Sequence, residues 1–211
     1  LHPARRPVIG AITLATLTGG LVTHWALEAR RHRQTLARIP LRIHVNGTRG
    51  KSSVTRLIAA GLRAGGRITC AKTTGTQARM VFPDGHEAPV FRPARANVLE
   101  QIRIVRAAAD AGAEALVMEC MALQPELQWL CEARLVRSAV GVITNARPDH
   151  LDVMGPTPDD VARALAGTVP YGGTLYTAEG PRRAILARAA ADRGSALVAI
   201  EPADVAAVSA A

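Results

Sequence analysis

The stretch Asn46-Gly47-Thr48-Arg49-Gly50-Lys51-Ser52-Ser53 combines glycines, a lysine and adjacent hydroxyls in one short loop. That combination suits a nucleotide phosphate chain. Glycines let the backbone curl until its N–H groups face the phosphate oxygens, Lys51 reaches the outer phosphates, and the Ser52 hydroxyl can hold Mg²⁺. The general phosphate-loop pattern wants glycine where this chain has Val45, and Gly47 lies inside the loop instead. A chance Gly-Lys-Ser in a surface turn would share the letters without the context. Here Ile43-His44-Val45 reads as strand in front, and Val54, Leu57, Ile58, Gly61 and Leu62 fall on one helical face behind.

Two more polar features sit at the ends of apolar runs. Ala115-Leu116-Val117-Met118 ends at Glu119, and Val140-Gly141-Val142-Ile143 ends at Thr144-Asn145, with Arg147-Pro148-Asp149-His150-Leu151-Asp152 behind. Such runs are the signature of buried parallel strands, and ligands bind beyond the carboxyl ends of such strands. A carboxylate and a neutral imidazole beside a Ser52-bound Mg²⁺ would complete a metal site. Taken singly, Glu119 is a solvated strand cap and His150 a structural histidine; their joint placement on one sheet edge favours function. Lys72-Thr73-Thr74-Gly75-Thr76-Gln77-Ala78-Arg79 is a second Thr/Gly-rich loop at a strand end. It carries the only other lysine, and we read it as facing substrate or phosphate, with an ordinary strand-to-helix turn as the competing reading.

The elements around these loops alternate. Strands are expected near Arg67 to Ala71, at Ala115 to Met118, Val140 to Ile143, Thr174 to Tyr176 and Ala196 to Ile200, with a hairpin across Met80 to Phe91. Helices are expected at Asn97 to Ala111, Pro125 to Ala133, Pro158 to Ala166 and Pro181 to Ala191. The fold class is therefore α/β, a mostly parallel doubly wound sheet covered on both faces. The net charge of +9 is nearly all arginine, since Lys51 and Lys72 are the only lysines. Those arginines are scattered over helix faces without interleaved aromatics, which make up 3% of the chain, so nucleic acid is disfavoured as a partner. Cys70, Cys120 and Cys131 show no paired spacing and read as buried reduced thiols of a cytosolic fold.

Ahead of this domain, Val8 to Leu27 carries no formal charge. As a helix of about 1.5 Å rise per residue it spans roughly 30 Å, enough for a bilayer core. Arg5 and Arg6 flank the front and Arg30, Arg31, Arg33 and Arg38 the back, which favours a cytoplasmic carboxyl side. The alternative is a cleaved signal peptide, but that would export a nucleotide loop away from ATP. The expected organisation is a flank at residues 1–7, a single-pass membrane anchor at 8–27, a basic linker at 28–40 and an ATP-binding domain at 41–211. The chain opens on Leu1, which points to an unusual start codon or a missing start.

The phosphate loop resembles the Gly-Thr-x-Gly-Lys-Ser/Thr loop of the Mur ligase superfamily. Within it, the likeness is strongest to the ligase subunit of poly-γ-glutamate synthases, which make a bacterial capsule polymer. The stretches that carry it are Asn46 to Arg56, Lys72 to Met80, Glu119-Cys120-Met121-Ala122, and Asn145 with Asp149-His150-Leu151-Asp152-Val153-Met154-Gly155-Pro156-Thr157. The resemblance implies an ATP-dependent, ADP-forming amide ligase with Mg²⁺, or Mn²⁺ in its place. A glutamate carboxylate would take the γ-phosphoryl group, and the amine of the next glutamate would attack the acyl phosphate. It further implies that Gly47, Thr48, Arg49, Gly50, Lys51, Ser52, Ser53 and Asn145 hold the nucleotide. Ser52 and Glu119 would ligate one metal and His150 a second, with Lys51 and His150 catalytic. Lys72, Thr73, Thr74, Gly75, Thr76 and Arg79 would face the substrate.

Glutamate, the growing polymer, the membrane and other membrane subunits of the synthase are the implied partners. Many Mur ligases use a carbamylated lysine after the Asp-His motif, and this chain has no lysine after Lys72. The family also continues into a carboxyl-terminal domain, so the resemblance implies an amino-terminal portion or a truncated product holding the ATP half of the site. The competing functions are another Mur-like ligase acting on a folate or cell-wall precursor, and a non-catalytic membrane-tethered nucleotide-binding subunit.

Overall fold

A computed structural model describes residues 5–75, 77–92 and 96–209. Helix α1 (Arg5–Ala37) leads into β1 (Leu41–Asn46), α2 (Lys51–Ala64), β2 (Thr69–Thr73), and the hairpin β3 (Arg79–Val81) and β4 (Glu87–Pro89). There follow α3 (Glu100–Asp110), β5 (Ala115–Glu119), α4 (Pro125–Leu130) with a π-helical turn over Cys131–Val136, and β6 (Val140–Ile143). Helices α5 (Leu151–Met154) and α6 (Pro158–Leu165), strand β7 (Thr174–Thr177), helix α7 (Arg183–Asp192), strand β8 (Ala196–Ala199) and helix α8 (Pro202–Ser209) complete the chain. The expected α/β class holds.

The strands form one sheet in the order β4-β3-β2-β5-β1-β6-β7-β8. It is parallel from β2 to β8, and the β2–β3 and β3–β4 pairings are antiparallel. Register explains how the two faces separate. Ile43, Val45, Ala71 and Val117 point to one side and pack with Val54, Ile58 and Leu62 of α2. Cys70, Leu116 and Met118, on the alternate positions, pack with α3, the end of α1 and Val136. A third cluster closes α6 and α7 over Ile143 and Leu175.

Strand β1 sits between β5 and β6. From β1 the chain crosses towards β2, and from β6 it crosses the other way to β7. The carboxyl ends of β1 and β6 therefore flank a topological switch point, where the loops diverge and leave a crevice.

Several boundaries differ from the sequence reading. Helix α1 runs unbroken through the expected linker at 28–40 as far as Ala37. No glycine or proline interrupts it there, and its last turns are docked. Leu36 is buried in the α3 cluster, His32 Nε2 meets the Leu135 carbonyl at 2.9 Å, and Arg38 donates to the Ala109 carbonyl. Its Ile9–Ala37 stretch is long and apolar enough to cross a membrane, and the apolar window has no surface buried in the protein. The buried face of α2 is Val54, Thr55, Ile58, Ala59 and Leu62, rotated from the expected one, and Leu57 is 70% exposed. Helix α8 follows β8 where no element was expected.

Candidate active site

The loop after β1 closes on the switch point through hydrogen bonds to the loop after β6. Asn145 Oδ1 accepts from Thr48 Oγ1 at 2.6 Å and from the Arg49 N–H at 3.2 Å, while its Nδ2 donates to the Arg49 carbonyl at 3.1 Å. Thr144 Oγ1 donates to the same carbonyl at 2.7 Å. The Asn145 amide, expected to hold nucleotide, is thus engaged at both ends in bracing the phosphate loop. Gly47 must be glycine: its φ is +132°, and a Cβ there would overlap Thr144 Oγ1 and press on the Thr144 and Asn145 nitrogens at 3.0 and 3.2 Å. Gly50 caps α2 in the left-handed region, φ +82°, which turns the backbone into the helix.

At the amino end of α2, Lys51 Nζ donates to the Gly47 carbonyl at 2.6 Å. That places an ammonium across the mouth of the loop, where the free N–H groups of the first helical turn also gather. Ser52 Oγ donates to Glu119 Oε2 at 2.8 Å, and the Thr74 N–H donates to the same oxygen at 2.7 Å. Glu119 is only 2% exposed and, among the described residues, has no cationic partner. A buried carboxylate is normally paired or metal-bound. Two hard oxygen donors side by side, one of them a buried uncompensated charge, fit Mg²⁺ or Mn²⁺.

His150 sits at the amino end of α5. Its side chain is 49% exposed, and its Nε2 is 3.9 Å from Asp149 Oδ1. Asp149 in turn pairs with Arg49 at 2.6 Å, so Arg49 ties the loop to this segment. Among the described residues no three His, Cys, Asp or Glu side chains gather as a metal set. His150 does adopt φ 45°, a conformation unusual outside glycine, and caps the short helix α5.

The second Thr/Gly loop divides. Thr74 and Gly75 line a cavity of about 300 Å³ beside Gly47, Lys51 and Glu119. Lys72 and Thr73 instead lie inside β2, held by antiparallel pairing to Met80 and Arg79. Lys72 is fully buried and pairs with Glu100 at 2.8 Å, which corrects its expected place in a substrate-facing loop. Arg79 begins β3 and donates to Gln77 at 3.1 Å. Thr76 lies outside the described residues.

The sequence reading missed Arg92, which lines the same cavity. Its signal is spatial, a contact to Glu100 eight residues on, and leaves no motif of its own. A smaller cavity of about 270 Å³ is lined by Thr48 to Ser53 and Glu119.

Behind β1 a second polar group is fully interior. His44 Nδ1 and Glu132 Oε2 are 2.8 Å apart, and Ser138 donates to both Glu132 oxygens. Burial opposes the imidazolium, but Cys120 and Glu132 beside it outweigh that and hold its pKa up at about 9. All three cysteines are buried free thiols, as the sequence indicated.

A family model of the Mur ligase middle domain matches residues 45–167, which include the loop, Glu119, Asn145 and His150. The chain belongs to the Mur ligase family. This Mur ligase domain is 45% identical over 174 residues to the capsule biosynthesis protein CapB of Bacillus anthracis, covering 82% of this chain and 36% of that protein. To the PGA synthase CapB of Bacillus subtilis (strain 168) it is 40% identical over 174 residues, covering 82% of this chain and 44% of that protein. The chain thus spans less than half the length of these curated relatives.

Among solved structures, E. coli FolC in complex with ADP, without folate substrate, matches with a TM-score of 0.66 at 18% identity, covering 81% of this chain and 45% of that one. An FPGS-AMPPCP complex matches with a TM-score of 0.58 at 22% identity, covering 82% and 50%. At those identities the likeness carries the Mur ligase fold alone.

Proposed function

We propose that this Mur ligase domain is the ATP-binding part of a poly-γ-glutamate ligase, anchored in the bacterial cell membrane through α1 with the domain on the cytoplasmic side. The supporting observation is that Lys51 and Glu119 line both cavities of the site. With ATP phosphates in the smaller one, the γ-phosphoryl group falls at their boundary, facing a carboxylate held in the larger one. The curled loop and the first turn of α2 offer N–H donors to the phosphate oxygens, and Lys51 exchanges the Gly47 carbonyl for the outer phosphates.

Ser52 and Glu119 would hold Mg²⁺ or Mn²⁺, which when bound neutralises charge on the transferring group. The substrate carboxylate attacks the γ-phosphorus, the bond to the ADP oxygen breaks, and an acyl phosphate results. The amine of the next glutamate then attacks the acyl carbon and phosphate leaves. No side chain forms a covalent bond, so the protein's share is positioning and charge compensation. Support for this polymer over a folate or cell-wall substrate comes from the 40–45% identity to the CapB proteins.

The test is glutamate-dependent ADP release from membranes carrying the full-length protein, with Lys51→Ala as control. Release that needs glutamate and falls by roughly a hundredfold or more in the variant is expected. ATP binding without glutamate-dependent ADP release would overturn the ligase reading in favour of a nucleotide-binding regulatory subunit.

A further inference from the structure

Arg92 stands in the wall of the larger cavity and is held by two hydrogen bonds. Its Nε donates to Glu100 Oε2 at 2.7 Å and its Nη2 to Glu100 Oε1 at 2.9 Å. A side-on fork of this kind uses two of the five guanidinium N–H groups, and among the described residues Nη1 has no hydrogen-bond partner. Glu100 is buried in the first turn of α3, and its Oε1 also accepts from Lys72 Nζ at 2.8 Å. The cluster therefore carries two cations on one carboxylate, a surplus positive charge directed at the cavity.

Charge balance explains why a lysine is buried here at all. A simple Arg92–Glu100 pair would be neutral and offer little attraction to an anion. Burying an ammonium completely is costly, and an apolar residue would fill the space in β2 more cheaply if packing were the only need. Burial works against the Glu100 carboxylate too, but Arg92 and Lys72 outweigh it and hold its pKa below the usual value. Glu100 thus stays ionised, fixing the guanidinium plane; burial lowers the Lys72 pKa more than Glu100 raises it, and a Lys72 that keeps its proton restores the net positive charge.

The two cavities divide the labour. The smaller one is lined by the phosphate loop, and the larger one adds Arg92, Thr74 and Met121 to the shared Lys51 and Glu119. An anion beside Arg92 is therefore adjacent to the transferring phosphoryl group without being part of ATP. We propose that Arg92 binds a second carboxylate of the acyl substrate, the α-carboxylate beside the reacting γ-carboxylate at a γ-glutamyl chain end, with Glu100 and Lys72 as its positioning residues. A planar guanidinium end matches a carboxylate with two parallel hydrogen bonds, which a lysine cannot reproduce. The proposal rests on the ligase reading above, which supplies the glutamyl substrate.

The test measures binding of a short γ-glutamyl oligomer, and separately of a fluorescent ATP analogue, to the full-length protein in detergent. Wild type, Arg92→Lys, Arg92→Gln and Lys72→Met are compared. Arg92→Lys is expected to weaken the oligomer by roughly tenfold and Arg92→Gln by more, with ATP-analogue affinity within about twofold. An oligomer amidated at its terminal α-carboxylate should bind wild type and Arg92→Gln equally. Lys72→Met should weaken the unmodified oligomer while thermal unfolding still reports a folded protein; if it fails to fold, Arg92→Lys decides.

Unchanged oligomer affinity in both Arg92 variants, or no loss on amidation in wild type, would overturn the proposal. Arg92-dependent oligomer binding with no glutamate-dependent ADP release would instead sink the ligase reading and leave the subsite standing.

Discussion

Replacing Gly47 by alanine tests the geometry of the phosphate loop without assuming what binds there. The new Cβ meets three atoms of the β6 loop: the Thr144 hydroxyl, and the Thr144 and Asn145 nitrogens at 3.0 and 3.2 Å. The hydroxyl can rotate away, but it then gives up its bond to the Arg49 carbonyl, a loss of about 1 kcal/mol. The nitrogens are backbone and cannot rotate. A side chain at φ +132° adds strain of about 1–3 kcal/mol. The combined cost is about 2–4 kcal/mol, which for a chain of this size lowers Tm by roughly 5–15 °C.

Gly50→Ala is the internal control. Its φ is also positive, +82°, but nothing lies within 4 Å of the added carbon, so only the left-handed penalty of about 1–2 kcal/mol applies. Thr144→Ala combined with Gly47→Ala should recover only part of the loss, because the backbone contacts persist. Thermal unfolding followed by circular dichroism reads all four proteins, and an ATP analogue should bind Gly47→Ala more weakly than Gly50→Ala. A Gly47→Ala protein that melts within about 1 °C of wild type, or no lower than Gly50→Ala, would refute the close approach of the loop to β6.

Two further outcomes follow from packing and charge. Glu100→Gln leaves buried Lys72 without its counter-charge and should destabilise the fold by about 3–5 kcal/mol at neutral pH. Because Glu100 titrates below its ordinary 4.5 when folded, its contribution is complete above that pH and is lost as pH falls through the lower folded value. Urea unfolding should therefore show the gap between wild type and Glu100→Gln closing below about pH 4.5. Deleting the apolar half of α1, so that the chain begins at Glu28, should leave Tm nearly unchanged. Beginning at Leu41 should lower stability by several kcal/mol, since Leu36 and Ile39 are buried and each contributes about 1.5–3 kcal/mol.

The loop was legible in the sequence because its chemistry is local. Glycines, a lysine and a serine at fixed spacing between strand and helix determine where Gly47, Lys51 and Ser52 go, and a strand end determines where Glu119 goes. Lys72 was misplaced because Thr73-Thr74-Gly75 beside it reads as loop, whereas β2 is prolonged by pairing with β3 and the lysine is paired with Glu100 on a distant helix. Arg92 was invisible for the same reason. The charged residues after Leu27 looked like a linker, yet His32 and Leu36 sit four apart on one helical face and find Leu135 and the α3 cluster. Leu57 shows the limit of periodicity: two helical faces carried apolar residues, and only contact with β1, β2 and β5 selects the one that is buried.

On the anchoring proposed above, the unbroken course of α1 has a mechanical consequence. From Glu28 to Ala37 the helix advances about 15 Å. A flexible tether of the same length would reach a similar root-mean-square span, roughly 16–19 Å, so stand-off from the bilayer is not what rigidity changes. What changes is angular freedom. A tethered domain tumbles and presents every side to the lipid in turn, whereas a domain welded to its anchor by Leu36, His32, Arg38 and Arg42 keeps one bearing. On the anchoring and polymer proposed above, the mouth of the site would point in a fixed direction relative to the bilayer, and the product would leave along one heading.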